Sequence, residues 1–144
     1  EFLLKPIAGV DTVNRTINAP GSFDTKLTVA SLADIAHQTV DAIVTGRGRN
    51  QAIHLGSATL SWADIRRILE QTTASEWTAK TISVKELEQA VQANPNDYVA
   101  RFGASFALGK GSNWPLSQTY AVKHGLKSRQ TLEEVVEQEL GRGQ

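Results

Sequence analysis

The stretch Lys26-Leu-Thr-Val-Ala-Ser-Leu-Ala-Asp-Ile-Ala36 decides how the first half of this 144-residue chain is expected to fold. Lys26 to Val29 alternates between polar and apolar residues, which predicts a strand. Ser31 and Asp34 then have the spacing of a capping box, in which a hydroxyl and an acid satisfy free backbone N–H groups. The stretch therefore predicts a strand that leads directly into a helix.

The helix that begins here has an amphipathic pattern, and Gly46 is expected to end it. Its apolar or small residues recur at helical spacing and share one face. They are Leu32, Ile35, Ala36, Thr39, Val40, Ile43 and Val44.

Three further capping patterns, each followed by an apolar stripe, predict three more helices. They pair Ser61 with Asp64, Ser83 with Glu86, and Thr131 with Glu134. The helix after Ser61 is expected to bury Ile65, Ile68 and Leu69. Pro95 suits the first turn of another helix, because its missing N–H would be unpaired there, and that helix is predicted to continue to Gly109.

The strand candidates are short and lie between these helices. Besides Lys26 to Val29, they are Val13–Asn18, Ala52–Leu55 and Trp77–Ile82. Because helices separate them, the chain does not supply pairing partners for all of them. The predicted class is mixed α/β with helix predominating, with short strands and about five helices.

The chain is interpreted as a single domain or a fragment, organised in three stretches. Residues 1–24 form a lead-in with loop character, residues 25–93 form strand–helix units, and residues 94–144 form a helical cap. The sequence opens on Glu1 and contains no methionine. This favours the interior of a longer protein or a cleavage product, with the residues that do the chemistry upstream.

Composition argues against several classes of partner. Fifteen basic and fifteen acidic residues cancel, so nucleic acid and anionic membranes, which are bound through phosphates, are not expected partners. The sequence has no cysteine, which excludes disulfides and thiolate metal sites within it and fits a cytoplasmic protein. The oligomeric state is left open, with a homo-oligomer as one alternative.

Motifs that would carry chemistry are weak in this sequence. The candidate metal ligands or general bases are the three histidines, His37, His54 and His124. Their spacing matches no zinc motif, so three unrelated polar or packed histidines are favoured. Ser105 lies in a helical pattern and not in a Gly-x-Ser-x-Gly elbow. Gly46 and Gly48 follow a helix, whereas the dinucleotide-binding fingerprint follows a strand.

The aromatic residues are more informative. Tyr98, Phe102 and Phe106 recur at a spacing of four residues, and Trp114 follows in a glycine-containing loop. A core stripe is the favoured interpretation. The alternative is a wall over an apolar ligand, with residues 109–115 as its rim.

Several passages, taken in order, resemble the NmrA-like or isoflavone-reductase-like family of atypical short-chain dehydrogenases. In that family a strand delivers a Ser/Asp-rich turn, and an Asp-Ile pair opens a helix ahead of the cofactor domain's last strand. The matching passages are Gly9–Gly21, Lys26–Ala36, Thr39–Ile43, Asn50–Leu55, Thr59–Ser61 and Ile82–Glu86. The resemblance covers most of residues 2–90 and, more loosely, 91–140. Its order and spacing carry it, since no single piece is diagnostic.

The resemblance implies the C-terminal, substrate-side part of an NAD(P)-binding Rossmann-type fold. The parent protein would use NADP or NAD, with an upstream Rossmann half and a small apolar or aromatic substrate as partners. The family's glycine-rich loop and catalytic Tyr/Lys or Lys region have no match here. No catalytic, cofactor-binding or metal residue is therefore assigned, and no cofactor is expected to bind this chain alone. Phe2 and Trp114 are the pocket residues the resemblance favours, beside Tyr98, Phe102 and Phe106.

Two alternatives to a reductase stay open at this point. One is a redox-sensing regulator of the NmrA type, which binds the dinucleotide and a protein partner without turnover. The other is a free-standing interaction module that uses an exposed apolar face.

Overall fold

A computed structural model describes residues 4–5, 8–110 and 113–141 of the chain. Short strands alternate with helices in the first two thirds, and helices follow. The elements in order are β1 (Val10–Asp11), β2 (Thr16–Pro20), β3 (Lys26–Val29), α1 (Leu32–Thr45), β4 (Ala58–Ser61), α2 (Trp62–Thr73), β5 (Thr78–Ile82), α3 (Val84–Ala93), α4 (Tyr98–Ala107), a 3-10 turn (Leu116–Gln118), α5 (Tyr120–His124) and α6 (Leu132–Gly141). The mixed α/β class with helix predominating is confirmed.

The strands form two small sheets. In the first, the order is β1-β2-β5, and β2 runs parallel to β5 with Thr16 opposite Thr78. In the second, β3 and β4 pair antiparallel with Lys26 opposite Ser61. Because parallel strands need a long crossover, the whole segment containing β3, α1, β4 and α2 connects β2 to β5.

Helix α2 supplies the centre of the hydrophobic core. Its side chains Ile65, Ile68 and Leu69 are at most 2% exposed, which confirms the buried face predicted for this helix. They pack with side chains from β1, β2, the segment before β5, and α6. These include Val10, Ile17, Trp77, Val135 and Val136. Helix α2 therefore joins the first sheet to the C-terminal helix.

Within the described residues, the five predicted helices are present, together with a sixth that was not predicted. His124, expected in a loop, is the last residue of the short helix α5, which ends where Gly125 adopts a left-handed backbone with φ of 67°. Pro95 precedes α4 instead of lying in its first turn, since the Asp97 side chain accepts a hydrogen bond from Ala100 N and caps the helix there. Helix α4 also ends at Ala107, short of Gly109.

Two strand candidates differ from expectation. The Asp11 carboxylate accepts hydrogen bonds from Val13 N and Asn14 N and holds a turn, so β2 begins only at Thr16. Ala52–Leu55 forms no strand within the described part of the chain. The candidates Lys26–Val29 and Trp77–Ile82 are confirmed, the second as β5 from Thr78.

Three of the four capping patterns form reciprocal hydrogen bonds, in which each side chain accepts from the backbone N–H of the other residue. The first pattern does not form both bonds. Ser61 with Asp64 and Ser83 with Glu86 each share three hydrogen bonds, and Thr131 with Glu134 share two. At α1, Ser31 Oγ accepts from Asp34 N, and the Asp34 carboxylate accepts hydrogen bonds from Ser128 and Arg129.

The apolar face of α1 is turned away from the protein, which reverses the usual arrangement of an amphipathic helix. The buried residues of this helix are Asp34, Gln38 and Ala42. Leu32, Val40, Ile43 and Val44 are each more than half exposed. The predicted apolar periodicity is therefore present, but the described part of the chain does not cover it.

Burial predicts opposite outcomes for the same substitution at two isoleucines in the 144-residue chain. Ile65→Ala removes a fully buried side chain from the core and is expected to lower the free energy of unfolding by about 2–5 kcal/mol. Ile43→Ala, at a side chain that is 74% exposed, is expected to be neutral or slightly stabilising, because alanine favours helix. Urea unfolding followed by tryptophan fluorescence measures both, and equal losses would contradict this packing.

Candidate functional site

A cavity of about 570 Å³ lies between the second sheet, the start of α1 and the start of α6. Its walls are mostly apolar and come from β3, β4, α1, α2, α4 and α6. The apolar side chains are Leu27, Val29, Leu32, Ile35, Leu60, Ile68, Phe106, Leu132 and Val135. A cavity of this size with a few polar groups fits a small organic molecule.

The polar side of the cavity is built around Asp34. Its Oδ2 accepts a hydrogen bond from Ser128 Oγ at 2.8 Å, and its Oδ1 accepts one from Arg129 N at 2.5 Å. Asp34 is 1% exposed, so these bonds replace the water that its carboxylate would otherwise hold. These hydrogen bonds connect α1 to the segment that precedes α6.

Charge at Asp34 is maintained despite its burial. Desolvation by burial acts to raise the pKa of this carboxyl, but the hydrogen bonds from Arg129 N, Ser57, Ser128 and Ser31 outweigh it and lower the pKa below its ordinary 3.8. The position near the start of α1 also favours a negative charge. An ionised carboxylate that is already engaged by donors is suited to holding the cavity wall and poorly suited to accepting a proton.

Phe106 is the predicted aromatic residue that reaches the cavity. Its side chain lines the cavity and packs against the core. The Phe102 ring lies 6.1 Å from it, centroid to centroid, and Phe102 is 41% exposed. Tyr98, one turn earlier, is 65% exposed. The expected core stripe on α4 is therefore wrong for Tyr98 and Phe102, since the helix packs through Leu87 of α3 at the closely approached Gly103.

Trp114 lies beside the cavity and not among the side chains that line it. Its ring stacks on His54 with centroids 3.7 Å apart. Its backbone N donates to Thr28 Oγ1, which in turn donates to the Trp114 carbonyl, and Thr28 does line the cavity. Phe2, the remaining predicted pocket residue, lies outside the described residues.

Sequence reasoning missed most of the cavity wall. Ser31 and Asp34 were recognised only as a helix cap, although the Asp34 carboxylate also accepts hydrogen bonds from Ser128 and Arg129. Leu27 and Leu60 face each other across β3 and β4, and that pairing was not predicted. Ser128, 94 residues from Asp34 along the chain, gave no local signal.

The histidines and the remaining polar contacts lie in separate parts of the structure. His37 contacts the Arg129 guanidinium, with Arg129 Nε donating to His37 Nδ1 at 3.3 Å. Tyr120 donates to Asp41 Oδ2 at 2.7 Å, and burial together with this bond raises the pKa of the Tyr120 hydroxyl. In the described ranges, no group of three His, Asp or Glu side chains could hold a metal ion.

Comparisons with known proteins show the family to which this sequence belongs. No family model matches the sequence. The sequence is 31% identical over 114 residues to an NmrA-like family domain-containing oxidoreductase of Gibberella moniliformis, a match that covers 74% of this chain. The chain spans only 35% of the length of that curated relative.

A solved structure shares the fold. The crystal structure of a nucleoside-diphosphate-sugar epimerase from Staphylococcus aureus matches with a TM-score of 0.63 at 14% identity, over 85% of this chain and 43% of that one. The chain thus shares the α/β fold of part of that epimerase. By its sequence match it belongs to the NmrA-like family, which confirms the resemblance carried by Lys26–Ala36 and the passages around it.

Loss of the charge at Asp34 should change how the free energy of unfolding falls at acidic pH. Because folding lowers the pKa of Asp34, its contribution is complete above pH 3.8 and is lost as pH falls through the lower value of the folded state. Asp34→Asn should lower the free energy of unfolding by about 1–3 kcal/mol at neutral pH. The free energy of unfolding of this variant should also fall less steeply as the pH is lowered. Urea unfolding between pH 2.5 and 7 tests this, with exposed Asp24→Asn as the control; identical profiles for the two variants would contradict it.

Proposed function

We propose that this chain is the substrate-side part of an NmrA-like, NAD(P)(H)-dependent oxidoreductase and is inactive without an upstream nucleotide-binding half. The observation that carries the proposal is the match to an NmrA-like oxidoreductase, of which the chain spans 35%. The sequence supports it, since no glycine-rich fingerprint follows a strand. A cytoplasmic location belongs to the same proposal.

The chemistry assigned to this part is binding and exclusion of water. NADPH or NADH would supply the hydride, so this chain needs only to hold the substrate and shield it. The mostly apolar cavity fits a small apolar or aromatic substrate. Phe106 forms part of its wall, and Thr28 orients Trp114 beside it.

A nucleotide titration tests whether nucleotide binding requires the upstream half of the protein. The 144-residue chain should show no saturable binding of NADPH or NADH by fluorescence titration. The native polypeptide, identified by intact mass and N-terminal sequencing, should be longer and bind one of them saturably, with a Kd of about 1 μM–1 mM, the range in which the KM values of enzymes usually lie. Binding by the 144-residue chain itself would overturn the proposal.

A non-catalytic redox sensor predicts a different result in the same assay. It would bind the nucleotide in the native polypeptide without oxidising it, and no aldehyde, ketone or enone in an apolar substrate panel would be reduced. Absence of an upstream catalytic lysine or tyrosine would accompany that outcome. A native chain that begins at Glu1 and folds unaided would favour an interaction module.

Replacement of Phe106 is expected to weaken binding of the substrate and to leave binding of the nucleotide unchanged. In the native polypeptide, Phe106→Ala should raise KM for the best apolar substrate about tenfold, since losing a partly buried aromatic surface removes about 1.4 kcal/mol of binding, less than the roughly 1.5–3 kcal/mol of a fully buried side chain. The Kd for NADPH should remain unchanged. Tyr98→Ala, on the same helix but largely exposed, is the matched control. Equal effects of the two variants would place the substrate elsewhere.

A further inference from the structure

Most of the hydroxyl groups that line the cavity have their hydrogen committed to another group of the protein. These hydroxyl groups belong to Thr28, Ser31, Ser57 and Ser128. The remaining hydroxyl among the described lining residues, that of Thr131, is exposed at the start of α6. A hydroxyl has one hydrogen to donate and two lone pairs that accept. Which of these it offers to a ligand therefore depends on the protein groups around it.

The direction of the hydrogen bonds at Ser57 is set from behind the cavity wall. Gly56 N can only donate, and it donates to Gln38 Oε1, which orients the amide of this buried glutamine. Gln38 Nε2 then donates to Ser57 Oγ at 3.2 Å. Ser57 keeps its own hydrogen for the Asp34 carboxylate, to which it donates. One lone pair of Ser57 Oγ remains for a molecule in the cavity.

The other three hydroxyl groups have the same polarity. Asp34 N donates to Ser31 Oγ, and Ser31 in turn donates to the Asp34 carboxylate. Ser128 Oγ donates to Asp34 Oδ2 at 2.8 Å. Trp114 N donates to Thr28 Oγ1, and the Thr28 hydroxyl donates to the Trp114 carbonyl at 2.7 Å. All four oxygens thus offer lone pairs, and not hydrogens, to a molecule in the cavity.

The Asp34 carboxylate imposes this polarity on the three serines, because it is ionised and only 1% exposed. Together with Arg129 N, the serines supply about as many donors as a carboxylate has lone-pair sites. A buried negative charge also repels a ligand that is itself an anion. Arg67, the cation among the described lining residues, is exposed and interacts with Asp64 and Gln71 of its own helix. The side chains around Asp34 therefore suit an uncharged ligand that brings its own hydrogen.

We propose that the cavity selects a small, uncharged and largely apolar molecule that carries a hydroxyl or N–H group, and that Ser57 Oγ is the main acceptor of its hydrogen. Ser57 has this role because Gln38 holds it from behind, whereas Ser128 is exposed to water. A ketone or an ether oxygen placed here would meet lone pairs only, which leaves buried polar groups unpaired. This inference rests on the proposed function, because it names the substrate class of the same cavity.

The proposal separates two parts of the substrate. The donor group that Ser57 binds is a different group from the one that receives the hydride, since a carbonyl awaiting reduction is an acceptor. The polar side of the cavity thus orients the molecule, and the reacting atom lies elsewhere on it.

Indole and benzofuran test the proposal, because they have nearly the same shape and differ in an N–H donor against an ether oxygen. Each is titrated into the native polypeptide by calorimetry. Indole should bind about tenfold more tightly, since it gains a hydrogen bond and avoids an unpaired acceptor. A purely apolar cavity would instead favour benzofuran, which loses less hydration on entering it.

Two variants and a control assign the preference to the cavity. Ser57→Ala should reduce the preference for indole to about twofold or less, because the acceptor is lost. Ser117→Ala, at an exposed serine that does not line the cavity, is the matched control and should keep the full preference. Asp34→Asn places an amide donor among the serine oxygens and turns their hydrogens toward the cavity, so the preference should fall or reverse. Ser57→Ala decides the matter even where Asp34→Asn fails to fold.

Benzofuran binding as tight as that of indole overturns the proposal. An indole preference that Ser57→Ala leaves intact does so too, as does the absence of binding by both probes. NADPH binding and reduction of an apolar substrate by the same preparation would leave the proposed function standing in each of these cases. A native polypeptide without nucleotide affinity removes the proposed function, and the two probes then still measure the polarity of the cavity.

Discussion

The buried carboxylate of Asp34 is the interaction on which the rest of the arrangement depends. It joins the first turn of α1 to Ser128 and Arg129, 94 and 95 residues further along the chain. That connection orients α1, positions the start of α6 and forms the polar side of the cavity. Since a buried charge without donors is costly, the carboxylate and the segment at residues 128–129 require each other.

Local signals predicted much of the secondary structure. Capping pairs such as Ser61 with Asp64 mark helix starts because both partners lie within one turn, so the sequence alone contains the whole interaction. The pairing of β3 with β4, and of β2 with β5, depends on residues far apart, and no local pattern records it. The short α5 was missed because five residues do not establish a helical period.

The cavity was harder to predict than the fold. Aromatic spacing on α4 identified Phe106, but the same spacing included Tyr98, which is exposed. Periodicity shows which residues share a face and does not show what that face meets. The same limit applies to α1, where a regular apolar stripe faces outward because the polar residues Asp34 and Gln38 have partners inside the fold. Only the position of Ser57 and Ser128 in space settles that choice.

The parallel pairing of β2 with β5 has a consequence for how the protein is made. Thr16 meets Thr78 only after β3, α1, β4 and α2 have left the ribosome, so the first sheet has a high contact order and should form late. During that interval, α1 can already be helical, since helices form in about a microsecond. Nascent chains would then display an uncharged apolar surface before the first sheet has formed, and transiently exposed surface of this kind favours aggregation.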